Sequence, residues 1–394
     1  MAASATVSVP ETNRKRTGLI ALLSAGFILT GFPTIIAGPI LPVFISRWNL
    51  SDSQAGLFFT VQFASSLAAV WITTGLTAWR GYRPGLVIGY LLTGVGLALL
   101  NAPTHGVALL AVALYGMGYG LVVPPTNLAG AEAGGAGVVS LLNFAWGIGA
   151  VACAPLLSVS LRHHSLTTFL SILAAVAIAL AVAFLFAALP ERHHAKSRDA
   201  AKSQASIPSV QMTAAVATLF FLYVGSEAGL GGWAAEQLKR LVGHTTELTT
   251  MTPLFFYAGL MVGRGFASLL LPRIGSLRFI VAALSLAVVG TVIIILTRDP
   301  RFAIVGFAIA GLGCSTIYPI YISWFSHWYG SAARRLGGVV FSMASLGGSA
   351  IPWLVGFVST KANSLPIGFL VPLVGVFMMA ALVTLLRKRG FQML

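Results

Sequence analysis

The long apolar segments of this sequence contain very few charged side chains. Glu227 and Arg264 lie near the middle of two consecutive apolar segments, where a charge is costly unless it has a function or a partner. The Glu227 carboxyl group can take up a proton, accept hydrogen bonds from hydroxyl groups or ligate a sodium ion through oxygen. It can equally be a structural group held by a neighbouring arginine, for which Arg264 is the natural candidate. We therefore expect these two residues to form a functional pair.

Charged residues near the ends of apolar segments are candidates for gates. Glu132 lies near the end of the fourth segment, and we expect it to pair with Arg80 or Arg83 as a gate or brace. Glu236 lies near the opposite end of the seventh segment, so we expect it to be solvated.

Uncharged polar and aromatic side chains inside the segments form a second group of candidates. Carboxamides donate and accept hydrogen bonds, which suits a hydroxyl-rich solute, and aromatic rings can stack on apolar faces of such a solute. An unpaired amide in hydrocarbon is costly, so each amide faces either a cavity or a neighbouring helix. The full set of candidate solute contacts is Gln62, Asn127, Asn143, Trp146, Glu227, Trp233, Tyr257, Tyr318, Tyr321 and Trp353.

Patterns typical of enzymes and metal sites are not found in the sequence. The pairs His163-His164 and His193-His194 are adjacent in sequence and do not form a preorganised metal face, while Cys153 and Cys314 lie inside apolar segments. No Ser-His-Asp set, catalytic carboxylate pair or phosphate-binding loop is visible. We therefore expect no enzyme activity, no metal, no cofactor and no direct use of ATP.

Composition places the chain in a membrane. It has 394 residues, of which 57% are hydrophobic and only 8% are charged, whereas soluble proteins carry about 25% charged residues. A chain with this few charges cannot cover a water-facing surface. Lipid must therefore surround the protein. The net charge of +15 comes from bases in short loops, which fix orientation rather than bind nucleic acid.

The apolar pattern predicts an all-α membrane protein with twelve transmembrane helices. A membrane-crossing helix needs about 20 mostly apolar residues. The predicted spans, numbered one to twelve, are 17–46, 54–79, 84–101, 104–130, 138–161, 166–189, 211–237, 249–272, 278–297, 302–326, 335–359 and 365–386.

Loop charges and polar stretches predict the orientation and the domains. Sixteen Lys and Arg residues fall on the side that holds both termini and seven on the other, which places both termini in the cytoplasm and the protein in the plasma or inner membrane. The predicted domains are a cytoplasmic tail (1–16), a six-helix bundle (17–190), a cytoplasmic linker (191–209), a second six-helix bundle (210–387) and a tail (388–394).

An internal repeat relates the two predicted bundles. Gly116, Gly118 and Pro124 of span four recur as Gly311, Gly313 and Pro319 of span ten, each at an offset of 195 residues. Two pseudo-symmetric six-helix halves are typical of the major facilitator architecture, with a solute site between them. Small residues allow close helix crossings in lipid, and we expect them at Gly116, Gly118, Gly120, Gly147, Gly149, Gly347 and Gly348.

Particular motifs carry a closer resemblance. Span seven reads FLYVGSEAGLGGW over residues 221–233, span one contains GPILP at 38–42, and span eight contains GLMVGR at 259–264. Together with GLG and YP in span ten and LGG and PW in span eleven, these motifs resemble the fucose:proton symporter-like branch of the major facilitator superfamily, including its sodium-linked glucose transporter relatives. The resemblance implies sugar uptake driven by a cation gradient, and a functional monomer.

One departure from that branch concerns coupling. The family pattern has an Asp in span one and a Glu in span four, but span one has no acid here, and Val122 and Val123 stand where the span-four acid would fall. We therefore expect a secondary transporter working by alternating access on a monosaccharide, with H⁺ or Na⁺ coupled through Glu227 and Arg264. The alternatives are a drug or metabolite exporter, an uncoupled sugar facilitator, and a sensor that binds solute without moving it.

Overall fold

The structure, a computed structural model, describes residues 9–163, 165–190, 210–329 and 333–388 of the chain. Its helices are Val9–Ile35 and Ala37–Trp48 (span one), Asp52–Arg80 (two), Tyr82–Leu99 (three), His105–His163 (four and five), Leu166–Phe186 (six), Val210–Val242 (seven), Glu247–Ile274 (eight), Ser276–Leu296 (nine), Pro300–Cys314 and Ile317–Tyr329 (ten), Ala333–Ala362 (eleven), and Leu365–Gly368 and Leu370–Lys388 (twelve). The predicted linker 191–209 lies outside the described residues, as do residues 1–8 and 389–394. The first helix begins at Val9, inside the predicted N-terminal tail.

These helices confirm the predicted all-α fold. Among the described residues, eleven spans are long and apolar enough to cross a membrane, and span eight is a helix of 28 residues. Spans four and five are separated at Gly134 and Gly135, where Gly135 adopts a positive φ of 67°. Glycine reaches this left-handed region without a steric penalty, so the chain can reverse direction there.

Two other spans are interrupted near prolines. Span one is interrupted at Ile36, three residues after Pro33. Span ten stops at Cys314 and resumes at Ile317, shortly before Pro319. A proline has no backbone N–H to give to the carbonyl four residues earlier, so each interruption frees carbonyl groups inside the bundle.

Equivalent glycines make equivalent crossings in the two halves. A Cβ atom on Gly116 would meet span two at Gln62, and one on Gly311 would meet span eight at Phe256. Likewise, Gly118 packs against span three and Gly313 against span nine. The predicted glycine crossings are confirmed, and the two halves share one packing scheme.

The two halves meet through spans one, two and five on one side and spans seven, eight and eleven on the other. Close contacts join Gly38 with Gly232, and Gly56 with Trp353, while Gly147 faces Met261. Spans three, six, nine and twelve carry many of the exposed large apolar side chains, including Ile88, Ile172, Val289 and Phe377. Lipid is the natural solvent for such a surface.

We call the end of the bundle that holds the turns near residues 49–51, 100–104, 243–246 and 363–364 the distal end. The first and last described residues lie at the opposite end, because the spans run alternately up and down between the two ends.

Candidate functional site

Glu227 lies in the middle of span seven and retains partial solvent access although its neighbours Gly225 and Ser226 are buried. Its carboxyl group lies near the hydroxyl group of Tyr223, one helical turn earlier, and near enough to Arg264 of span eight to be attracted electrostatically. The structure therefore brings together the two residues that the sequence paired. Whether they couple a cation to solute binding stays a prediction.

The interruption of span ten lies beside this pair. The Tyr223 hydroxyl donates a hydrogen bond of 3.0 Å to the carbonyl oxygen of Cys314. Nε of Arg264 donates a hydrogen bond of 3.2 Å to the carbonyl oxygen of Ser315. That carbonyl has no helical donor four residues later, because residue 319 is proline. Two side chains near Glu227 thus hold the interruption of span ten.

The N-terminal half contributes a cluster of polar and aromatic side chains near Glu227. Trp146 Nε1 donates to Thr34 Oγ1 over 3.3 Å, and Thr34 donates to the Thr30 carbonyl over 2.6 Å. Tyr119 lies near Thr34 and is near enough to Glu227 to interact electrostatically. Thr34, Tyr119 and Trp146 are each half-buried, as Glu227 is. Because each keeps some exposed surface, a polar solute at the interface between the halves can reach them.

Gln62 makes contacts within the N-terminal half. Its Nε2 donates to the carbonyl oxygens of Pro33 and Thr34 over 3.3 and 2.8 Å, and its Oε1 accepts from Tyr115 over 3.3 Å. Both N–H donors of the amide are thereby used. In this structure Gln62 braces the interruption of span one, and a solute contact stays a prediction.

The other two predicted amides bond to their own helices. Asn127 Nδ2 donates to the Val123 carbonyl over 3.1 Å, and its buried Oδ1 has no hydrogen-bond partner among the described residues. Asn143 is exposed and donates to the Val139 carbonyl over 2.8 Å. Neither amide joins the group around Glu227 through a hydrogen bond described here.

Three of the predicted aromatic contacts lie near the site and two pack elsewhere. Tyr318 and Tyr257 are close enough to Glu227 to interact with it electrostatically, and Trp146 belongs to the group described above. Trp233 is fully buried and donates to the Pro352 carbonyl over 2.9 Å. Trp353 packs on Gly56 across the two halves.

The remaining predicted aromatic residue, Tyr321, is buried in span ten beside Phe220 and Tyr223.

The predicted gate residues contact other groups. Glu132 accepts a 2.6 Å hydrogen bond from Tyr82. Arg80 lies over the ring of Trp79, and Arg83 donates to the Ala187 carbonyl over 2.8 Å. In this conformation the Glu132 carboxylate is held by a phenol rather than by either arginine, and its gating role stays a prediction.

A charged cluster at the distal end was not anticipated. Asp52 of span two forms a bidentate ion pair with Arg240 of span seven, and it also accepts from Ser359 of span eleven. Arg240 Nε binds Glu236 over 2.9 Å. The prediction that Glu236 is solvated is wrong: it is 2% exposed, because Arg240 and Lys239 cover it and compensate its charge.

Further polar contacts close the same end. Lys239 donates to the Pro42 carbonyl over 3.1 Å and to Ser46 Oγ over 2.7 Å, and Arg162 pairs with Glu247. Each of these contacts joins the two halves. The conformation is therefore closed at the distal end.

No group of three or more His, Cys, Asp or Glu side chains that could hold a metal ion is found among the described residues. The side chains around Glu227 carry phenol and guanidinium groups, which can form hydrogen bonds with a polar solute.

The chain is similar in sequence to known membrane transporters. The family model of the Major Facilitator Superfamily matches residues 23–297. A Helicobacter pylori (strain ATCC 700392 / 26695) protein named as a candidate glucose/galactose transporter is 23% identical over 374 residues, which are 88% of this chain and 90% of that protein.

Solved structures share the fold. A bacterial homolog of the human lysosomal transporter Spinster, inward-facing and occupied, superposes with a TM-score of 0.73 at 15% identity, covering 95% of this chain and 97% of that one. The E. coli fucose:proton symporter superposes with a TM-score of 0.61 at 17% identity, covering 93% and 98%. The chain is an integral membrane transporter rather than an enzyme, and it belongs to the Major Facilitator Superfamily.

Proposed function

We propose that this transporter takes up a monosaccharide, most simply a hexose, together with a cation. The observation that carries the proposal is the pairing of Glu227, Tyr223 and Arg264 with Thr34, Tyr119 and Trp146 of the opposite half. This set offers hydrogen-bond donors, acceptors and aromatic faces within one interface. A carboxyl group that changes its protonation state at the same place can link cation binding to solute binding.

The relatives support a sugar as solute. The Helicobacter pylori protein is named for glucose and galactose, and the E. coli structure is that of a fucose:proton symporter. We favour H⁺ as the coupled cation over Na⁺, since the positive charge of Arg264 next to Glu227 repels a metal cation at this place. We further propose that the protein is a monomer in the plasma or inner membrane, with both termini in the cytoplasm.

An uncoupled facilitator is the second candidate. Val122 is fully buried at the position where the resembled branch has its span-four acid, and span one has no acid. Glu227 then remains the one carboxyl group among the described residues at the centre of the molecule.

Uptake into proteoliposomes tests the proposal. The purified protein is reconstituted, and uptake of labelled glucose, galactose and fucose is measured without a gradient, with an inward H⁺ gradient and with an inward Na⁺ gradient. Accumulation of a hexose above equilibrium under one gradient supports cation-coupled uptake. Equilibration without accumulation supports the facilitator, and no hexose entry under any condition overturns the sugar assignment.

A further inference from the structure

Met261 of span eight contacts span five across the boundary between the two halves. A Cβ atom added at Gly147 would collide with Sδ of Met261 and would lie 3.0 Å from its Cε. Because glycine has no side chain, the end of the methionine side chain lies directly against the backbone of span five. Gly147 is buried, whereas Met261 keeps part of its surface exposed. Met261 is thus packed against the other half and still accessible to solvent.

The height of Met261 in the bundle follows from the position of Tyr257. The Tyr257 hydroxyl oxygen would lie 2.8 Å from a Cβ atom on Gly231, which comes four residues after Glu227 in span seven. Met261 comes four residues after Tyr257, and four residues are about one helical turn. Spans seven and eight run in opposite directions, so one turn back from Gly231 and one turn on from Tyr257 reach the same level. Met261 and Glu227 therefore lie at about the same height.

Met261 shares one face of span eight with Tyr257 and Arg264. The three residues are spaced at i, i+4 and i+7, which puts them on one side of a helix. Tyr257 contacts span seven at Gly231, and Arg264 donates to the Ser315 carbonyl of span ten over 3.2 Å. Met261 lies between these two residues and contacts span five. It therefore belongs to the face of span eight that borders the candidate site.

Span five provides polar groups on both sides of the contact. Trp146, next to Gly147 in sequence, donates from Nε1 to Thr34 Oγ1 over 3.3 Å and keeps part of its surface exposed. Asn143 lies one turn from Gly147 on the same face, farther from the distal end, and is exposed. An amide is costly in hydrocarbon, so water rather than lipid is the natural surrounding of Asn143. The Met261 contact therefore borders a polar space.

We propose that Met261 is a specificity-determining residue that limits the size of the solute on the side of spans five and eight. A methionine side chain is unbranched and flexible, so it can adapt to a small solute, but it still occupies volume that a larger one would need. Gly147 is its counterpart, because a side chain there would displace the thioether. This inference rests on the proposed hexose uptake and names the residue that excludes bulky derivatives of a hexose.

Competition against labelled glucose tests the proposal. The full-length protein is purified in detergent, and inhibition constants are measured for glucose and for glucose derivatives that carry one O-benzyl group at C1, C3 or C6. Met261→Ala should improve the binding of at least one derivative relative to glucose by about tenfold, since hydrophobic pockets discriminate small differences in size on this scale.

Gly147→Ala should have the opposite effect. The added Cβ atom displaces the Met261 side chain, so the Kd of glucose should rise about tenfold. The double variant, Gly147→Ala with Met261→Ala, should recover glucose binding, because the shortened side chain leaves room for the Cβ atom. A melting temperature for each variant shows whether it is folded.

Met379→Ala is the matched control. Met379 is 1% exposed in span twelve, which is not one of the spans at the boundary between the halves. The substitution removes the same atoms as Met261→Ala. It should lower the melting temperature and leave the selectivity between glucose and its derivatives unchanged, which separates loss of packing from loss of selectivity.

The outcomes distinguish this proposal from the proposed function. If wild type and Met261→Ala both bind glucose and discriminate equally against all three derivatives, the role of Met261 is overturned and hexose uptake stands. A double variant that binds glucose no better than Gly147→Ala also overturns it. If the wild type binds no hexose, the proposed function fails and the size limit fails with it.

Discussion

Asp52 and Arg240 join the two halves of the protein through a pair of hydrogen bonds between a carboxylate and a guanidinium group. The Asp52 side chain is 9% exposed and that of Arg240 is 35% exposed. Arg240 also binds Glu236 of its own helix, so it compensates one carboxylate from each half. Closure of the distal end therefore depends on a charge pair that is partly removed from water.

We expect Asp52→Asn to shift the protein toward a state that is open at the distal end, because asparagine leaves Arg240 without its charge partner in the other half. Removing one partner of a buried pair costs about 3–5 kcal/mol when the other is left alone, and Glu236 should keep the loss below that range. Electron–electron double resonance between spin labels at Thr104 and Thr245, exposed residues in distal turns of opposite halves, should show a new long-distance component.

Arg162→Gln is the control for that measurement. The Arg162–Glu247 pair also joins the halves, but its side chains are 54% and 44% exposed, and exposed pairs contribute about 0–1 kcal/mol. Its distance distribution should stay close to that of the wild type. An equal shift in both variants would contradict the leading role of Asp52 and Arg240.

Gly118→Ala and Gly313→Ala should each lower the melting temperature of the purified protein. A Cβ atom on Gly118 would lie 2.5 Å from the Gly89 carbonyl oxygen, and one on Gly313 would lie 2.7 Å from that of Ala283. Overpacking of this kind costs about 1–3 kcal/mol. A Cβ atom added at Gly106 would have no neighbour within 4 Å, so Gly106→Ala should be neutral or stabilising. Loss of stability in only one of the two crossing variants would argue against equivalent packing in the halves.

Gln62→Leu should destabilise the protein more than it weakens solute binding. The substitution removes the donors to the Pro33 and Thr34 carbonyls, and unsatisfied buried groups cost about 1–3 kcal/mol. Thermal unfolding and hexose binding by calorimetry, measured on the same preparation, separate the two effects. A wild-type melting temperature with abolished binding would instead make Gln62 a direct solute contact.

Tyr119→Phe should raise the hexose Kd about tenfold, the effect of one lost hydrogen bond. Tyr119 is half-buried and lies near Thr34 and Glu227, so its hydroxyl group can form a hydrogen bond with a sugar hydroxyl at the interface between the halves. Calorimetric titration gives the Kd, and Tyr90→Phe, which alters a buried phenol outside the site, should leave it unchanged. Equal affinity in Tyr119→Phe and the wild type would remove Tyr119 from the site.

The sequence was sufficient to predict features that depend on local composition. Apolar runs indicate the spans, and small residues at regular offsets indicate the crossings of Gly118 and Gly313. Glu227 and Arg264 could be paired because charges are scarce in lipid.

Features that depend on distant contacts were missed. Asp52 and Arg240 are 188 residues apart in sequence, and residues at span ends are ordinarily solvated, so nothing local marks them as partners. In the sequence alone, Thr34 and Tyr119 look like packing residues. Only the fold shows that they lie near Glu227. Gln62 was predicted as a solute contact, since the carbonyls that it braces become visible only once span one is seen to be interrupted.

The most direct test of the central claim compares two modes of hexose transport in wild type and Glu227→Gln. Exchange of labelled for unlabelled hexose needs only alternating access, whereas accumulation against a gradient needs coupling. We expect Glu227→Gln to retain exchange and to lose accumulation under the cation gradient that drives the wild type. Accumulation at the wild-type level in Glu227→Gln would contradict the assignment of Glu227 as the residue that links cation and sugar.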